Sequence, residues 1–153
     1  MAEPGADLVI GLGNPLRQDD GVAWQLLEEL EASGMAATDL RICQQLLPEL
    51  AAELAGRPRV LFVDAALGIA EPRLEPLEPD PLGAAHPHQL TPAGLLALGR
   101  HLFAAAPAAA ILLVPGSRFG HGPGLSAPLR RQLPAARALL RGWLQGGRGP
   151  CTN

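Results

Sequence analysis

Three stretches of this chain carry side chains able to do chemistry. The first follows an early apolar run and holds Asn14, Asp19 and Asp20. The second is Asp64, which ends the run Arg59–Asp64, read as RVLFVD. The third is a proline-bearing loop with His86 and His88. Two carboxylates and an imidazole can bind a divalent transition metal and leave positions open for substrate or water. A metal so held polarises a peptide carbonyl or activates water. Without a metal, two neighbouring carboxylates can share a proton and act as an acid/base pair. Spacing does not choose between these two chemistries.

Each residue also has a plainer reading. A carboxylate ending an apolar strand is poorly solvated, which raises its pKa or demands a partner, yet it can also simply cap the next turn. Acidic residues before a helix are ordinary, since they suit both the cap and the dipole. Asp19 and Asp20 are neighbours and point in different directions, so both do not face one ligand. A loop histidine is usually just exposed. His101 reads as a helix-surface residue, and His121, between two glycines, as a loop contact.

The elements that must position these residues are legible from periodicity. Ala6–Leu12 is short, apolar and interrupted by glycine, which fits a buried strand. Gly11-Leu12-Gly13-Asn14-Pro15 is a turn, and Val22, Leu26, Leu27 and Leu30 then recur at helical spacing with Glu28, Glu29 and Glu31 outward. A second strand is expected at Asp39–Cys43 and a short helix around Pro48–Ala55. Arg59–Asp64 has the continuous apolar, β-branched character of a central parallel strand. Leu74–Leu77, among prolines, suits only an edge. Thr91 caps a helix reaching about Phe103, with Pro92 in its first position. Ala108–Val114 is the last strand, and Ser126 caps a final helix to about Leu144. Alternating strands and helices predict an α/β fold of three layers, α/β/α, around a mostly parallel twisted sheet of about five strands. In such a sheet ligands sit at the carboxyl ends of the strands, where all three candidate stretches fall.

Composition narrows the function classes. The 153 residues fit one domain, expected over residues 1–146 with a disordered tail at 147–153. Hydrophobic residues are 48% but aromatics only 3%, so the core must be aliphatic. The formal charge of −3 lacks the basic footprint of a nucleic-acid binder, and Arg130, Arg131, Arg137 and Arg141 read as a solvated helix face. Cys43 and Cys151 fit no zinc spacing and suit a reducing compartment. Neither a secretory leader nor a membrane span is apparent, so a soluble cytoplasmic protein is expected. Gly11-Leu12-Gly13 imitates a dinucleotide turn, but position 16 is leucine and the following acids would repel a pyrophosphate. Ser117 and Ser126 lack the context of a nucleophile elbow.

Four segments in order then carry a resemblance. Val9-Ile10-Gly11-Leu12-Gly13-Asn14-Pro15-Leu16 with Asp19-Asp20-Gly21-Val22, Leu61-Phe62-Val63-Asp64-Ala65, His88-Gln89-Leu90-Thr91-Pro92 with Leu95-Leu96, and Gly124-Leu125-Ser126-Ala127-Pro128 together resemble the [NiFe]-hydrogenase maturation endopeptidases. The resemblance implies a five-stranded, mostly parallel sheet between helices. It implies an endopeptidase, of aspartate-dependent type, that removes the C-terminal peptide of a hydrogenase large-subunit precursor once nickel is installed. The metal-contacting trio falls on Asp20, Asp64 and His88. Nickel presented by the substrate, or a surrogate divalent metal, would be sensed by these residues, and no permanently bound cofactor is expected. The first acid may be Glu in the family, and Gln44-Gln45-Leu46-Leu47 lacks the Gly-Thr of many relatives. His86 is a second candidate beside His88. The expected partner is the precursor, with no nucleic acid and no membrane, and the chain is expected to be a monomer because no apolar helix face is left over. The alternatives are a non-catalytic metal-sensing or chaperone module acting on the same precursor, and a nucleotide-binding protein.

Overall fold

A computed structural model describes residues 5–34, 37–81 and 89–146. Five strands form one sheet: β1 Asp7–Leu12, β2 Thr38–Cys43, β3 Arg59–Ala66, β4 Arg73–Pro76 and β5 Ala108–Pro115. Their spatial order is β2-β1-β3-β5-β4. All neighbours are parallel except β4, which runs antiparallel to β5 at the edge. The proline-flanked segment was expected at an edge, and Pro76 ends that strand. The α helices are α1 Val22–Ala32, α2 Pro92–Phe103 and α3 Ala127–Gly146.

The strand period of two sorts the core onto two faces. Val9, Leu61, Val63, Leu112 and Val114 pack against α1 and α3 through Leu26, Leu27, Leu129, Leu133 and Leu140. Leu8, Ile10, Val60 and Phe62 pack on the other face against Leu54, Leu95 and Leu96. The three-layer α/β/α arrangement therefore follows from strands that are apolar on both sides. Phe62 is the one aromatic among the largest fully buried side chains, as a chain poor in aromatics requires.

Several local expectations change. The segment after β2 is a 3-10 helix over Pro48–Leu54, with Pro48 in its first turn. Asp19 and Asp20 do not cap α1. They lie inside a separate 3-10 turn, Gln18–Gly21, and the residue capping α1 is Gly21, without a side-chain bond. Asp64 does not end its strand, because pairing with β5 continues through Ala66. Thr91 does cap α2, its hydroxyl accepting from the Gly94 N–H at 3.0 Å. Arg137 is not merely solvated. It makes two bonds to Glu29, at 2.8 and 2.7 Å, that tie α3 to α1. Arg130, Arg131 and Arg141 are exposed. The exposed large apolar side chains among the described residues are Leu16, Leu47, Leu67, Leu102 and Phe103, in loops and at a helix end. Arg59 is held by Asp7 at 2.7 Å and lies 3.8 Å over the Trp143 ring, fixing the start of β3 to the end of α3. No described helix is long and apolar enough to cross a membrane.

Candidate functional site

The parallel strands β1, β2, β3 and β5 all deliver their carboxyl ends to one rim. At that rim the loop after β1 must fold back sharply to bring the 3-10 turn against β3. Gly13 makes this fold possible. Its φ is +143°, and a Cβ there would lie 1.8 Å from the carbonyl oxygen of Asp20. Only a residue without a side chain tolerates that approach. The loop is fixed on both sides, since the Gly13 N–H donates to the Cys43 carbonyl at 3.1 Å and the Trp24 indole N–H donates to the Gly13 carbonyl at 2.6 Å.

Asp20 is half-buried, and its Oδ2 accepts from the Asn14 N–H at 3.0 Å. Asn14 in turn uses its side-chain oxygen to accept from the Leu16 N–H at 2.9 Å, an Asx-type turn. Asn14 thus shapes the loop and presents a backbone donor to the acid.

Asp64 is also partly buried, and its pKa is pushed up from 3.8 to about 7. Burial is the main cause. A bond from the Ala65 N–H, 2.8 Å from Oδ1, works against it, and the negative charge of Asp20 adds to the rise. The charge of Asp20 therefore reaches Asp64, although 43 residues of chain separate the two in sequence. A carboxyl tuned near neutrality can hold a proton or release it at physiological pH. A pair of close carboxylates, one reluctant to ionise, is also a place where a divalent cation is favoured.

Asp19 has a different task. It is fully buried. Its Oδ2 accepts from the N–H groups of Ser117 and Arg118 at 2.8 and 3.0 Å and from the Ser126 hydroxyl at 2.8 Å, while Oδ1 accepts from the Ser126 N–H at 2.7 Å. Burial alone would raise its pKa, but these donors outweigh it and hold the carboxyl below the usual range. Asp19 is an anchor for the loop between β5 and α3, and Ser126, expected only as the α3 cap, serves both ends. Its oxygen also accepts from the Leu129 N–H at 3.3 Å. The partners of Asp19 lie about a hundred residues away in the chain, so nothing local in the sequence signals this clamp.

His88 and His86 lie outside the described residues, as does Cys151. Among the described residues no group of three His, Cys, Asp or Glu side chains could hold a metal. Asp20 and Asp64 are carboxylates, a donor type that could serve a borderline or hard divalent ion taking further ligands elsewhere. His101 and His121 are exposed, on α2 and in the β5–α3 loop. The Cys43 thiol is held in its neutral form, its pKa raised by burial, so it is a poor nucleophile.

No protein-family profile and no curated protein matches the sequence. Solved structures do match over nearly the whole chain. The hydrogenase-maturating endopeptidase HybD from E. coli superposes with a TM-score of 0.69 at 18% identity, covering 93% of each chain. The [NiFe] hydrogenase maturation protease HycI from Thermococcus kodakarensis gives 0.71 at 18% identity, covering 92% of each. A hydrogenase 2 maturation peptidase from a Thaumarchaeota archaeon gives 0.67 at 20% identity, covering 91% of this chain and 97% of that one. The five-stranded, mostly parallel sheet with helices on both faces is thus the fold seen in the hydrogenase maturation proteases.

Proposed function

We propose that this chain is an endopeptidase of the [NiFe]-hydrogenase maturation type, which removes the C-terminal peptide of a large-subunit precursor after nickel insertion. The observation that carries this reading is Asp64, a carboxyl raised by burial and by the charge of Asp20, at the carboxyl rim of a sheet with the maturation-protease fold. In this reading His88 joins the two acids, and the trio contacts nickel presented by the precursor, with no cofactor held permanently. With its pKa raised to about 7, Asp64 is protonated in part of the molecules near neutral pH while the site is empty of substrate, so the rim carries less negative charge than two aspartates would suggest. A divalent ion arriving with the precursor favours the ionised form and displaces that proton. Asp64 then serves as metal ligand, as proton acceptor for the attacking water, or as both in turn. The chain acts as a cytoplasmic monomer.

The test is direct. Purified protein is mixed with nickel-loaded precursor, and the large subunit is weighed by mass spectrometry. Wild type is expected to shorten it. Asp64→Asn and His88→Ala abolish shortening with the fold retained by circular dichroism, whereas His86→Ala has a mild effect. Full activity of Asp64→Asn removes that carboxylate from the mechanism. A wild-type protein that binds the precursor without ever shortening it replaces the peptidase with the chaperone reading.

A further inference from the structure

Beside the acidic pair lies a cleft that the proposed chemistry does not use. It has a volume of about 410 Å³ and is lined by Gln18, Arg118, Leu125, Ser126, Pro128 and Arg130 among others, with no acidic side chain in its walls. The acid beneath it, Asp19, is fully buried, and both of its oxygens are occupied by donors from Ser117, Arg118 and Ser126. Arg118 and Arg130 take part in none of the ion pairs found among the described residues. On a chain of net charge −3, two arginines that form no ion pair among the described residues thus line one cleft.

The cleft is built onto the same turn as the acids. Gln18 lines it and adopts a left-handed φ of 53°, unusual for a residue with a side chain. That conformation is held by the Gly120 N–H, which donates to the Gln18 side-chain oxygen at 3.0 Å, and by the Gln18 N–H, which donates to the Gly122 carbonyl at 3.0 Å. Local strain maintained this way fixes the wall of the cleft relative to Asp20, two residues on. Two residues span at most roughly 7 Å, so an extended peptide leaving the acidic pair reaches the cleft within a few residues.

We propose that this cleft is a subsite for a carboxylate of the peptide being cut, received by Arg118 and Arg130. The inference rests on the peptidase reading above. The planar forks of arginine match a carboxylate in bidentate fashion, and a cleft of this volume accommodates one extended side chain or chain end. The carboxylate is either the free C terminus of the released segment or an acidic side chain within it.

The experiment uses the full chain and nickel-loaded precursor, comparing wild type with the double variant Arg118→Gln plus Arg130→Gln. Neither side chain is tied into the fold, and unchanged circular dichroism checks this. The double variant is expected to raise KM about tenfold, as two partly solvated charge-assisted contacts are lost, with kcat within about twofold. Two altered precursors separate the sources. One carries a neutral C-terminal extension that displaces the terminal carboxylate. The other has the acidic residues of its cleaved segment changed to amides. One of them should raise the KM of wild type to that of the double variant and leave the double variant unchanged. Equal KM for wild type and double variant overturns the subsite while leaving the peptidase intact. So does a wild-type KM indifferent to both altered precursors. Should wild type fail to cleave at all, the peptidase reading falls separately. The cleft is then judged by precursor binding, where equal Kd for wild type and double variant overturns it.

Discussion

Asp64→Asn should make the metal-free protein more stable at alkaline pH and leave it unchanged near pH 4. Burial and the charge of Asp20 lift the Asp64 pKa from 3.8 to about 7. Between those values the folded protein binds a proton that the unfolded chain has already released. Wild-type stability therefore falls as pH rises through this window, and the full penalty is present above about pH 7. At about 1.4 kcal/mol per pH unit the interval corresponds to about 4 kcal/mol. Asp64 is only partly buried, and water reaching it relaxes the charge, so about 2 kcal/mol is the working figure. The amide carries no such penalty and keeps an oxygen to accept from the Ala65 N–H, now 2.8 Å from Oδ1. For a domain of this size each kcal/mol moves Tm by about 2–4 °C, so a gain of about 4–8 °C is expected at pH 8. Thermal unfolding in chelator at about pH 4 and pH 8 reads the difference, which should be near zero at the lower pH. A variant that gains nothing at pH 8, or gains equally at both, would refute the reasoning that Asp64 is held against its charge.

The other members of the site respond differently. Asp20→Asn should lower the titration midpoint of Asp64, followed by carbon-13 NMR of its carboxyl, because the Coulombic contribution of Asp20 disappears; an unmoved midpoint would separate the two acids. Asp19→Ala strands the N–H groups of Ser117, Arg118 and Ser126 and should cost about 3–5 kcal/mol in urea unfolding at pH 7. Since its folded pKa is depressed, that stabilisation is present above pH 3.8 and fades as pH falls through the lower folded value; a loss under about 1 kcal/mol at pH 7 contradicts the clamp. Gly13→Ala drives a Cβ onto the Asp20 carbonyl and should lower Tm by at least about 5 °C and abolish precursor processing; wild-type behaviour in both would mean that the turn can move without consequence.

Much of this architecture is readable from the residues. The uninterrupted apolar run of β3 and the alternating elements dictate a parallel sheet covered on both faces. Thr91-Pro92 and Ser126-Ala127-Pro128 mark the starts of α2 and α3 by capping chemistry. What escapes is set by contacts distant in sequence. Strand β3 runs past Asp64 because β5 supplies partners up to Pro115, which no property of Asp64 announces. Asp19-Asp20 looks like a helix cap because acids before apolar helices usually are, yet here Ser117, Arg118 and Ser126 compete for Asp19 and win with four short bonds. The arginines of α3 look alike in sequence, and only the packing of α1 distinguishes Arg137, which finds Glu29, from its exposed neighbours.

The different surroundings of Asp19 and Asp20 have a physical reason that links the clamp to the rim. Consecutive residues of a 3-10 turn project about 120° apart, so one acid of a pair can face the interior only if the other faces away from it. Asp19 takes the inward direction and binds the loop that leaves β5. That loop is itself rooted beside β3, where the Gly116 N–H donates to the Ala66 carbonyl at 2.8 Å and Asp64 pairs with Leu113. The turn carrying Asp20 is thereby tied to the strand carrying Asp64 through a third element, without a direct bond between the two acids. Two carboxylates that repel one another need an external frame if they are to stay close, because their own interaction drives them apart. Asp19 supplies that frame. Its complete burial and its full set of donors fix the turn on which Asp20 sits.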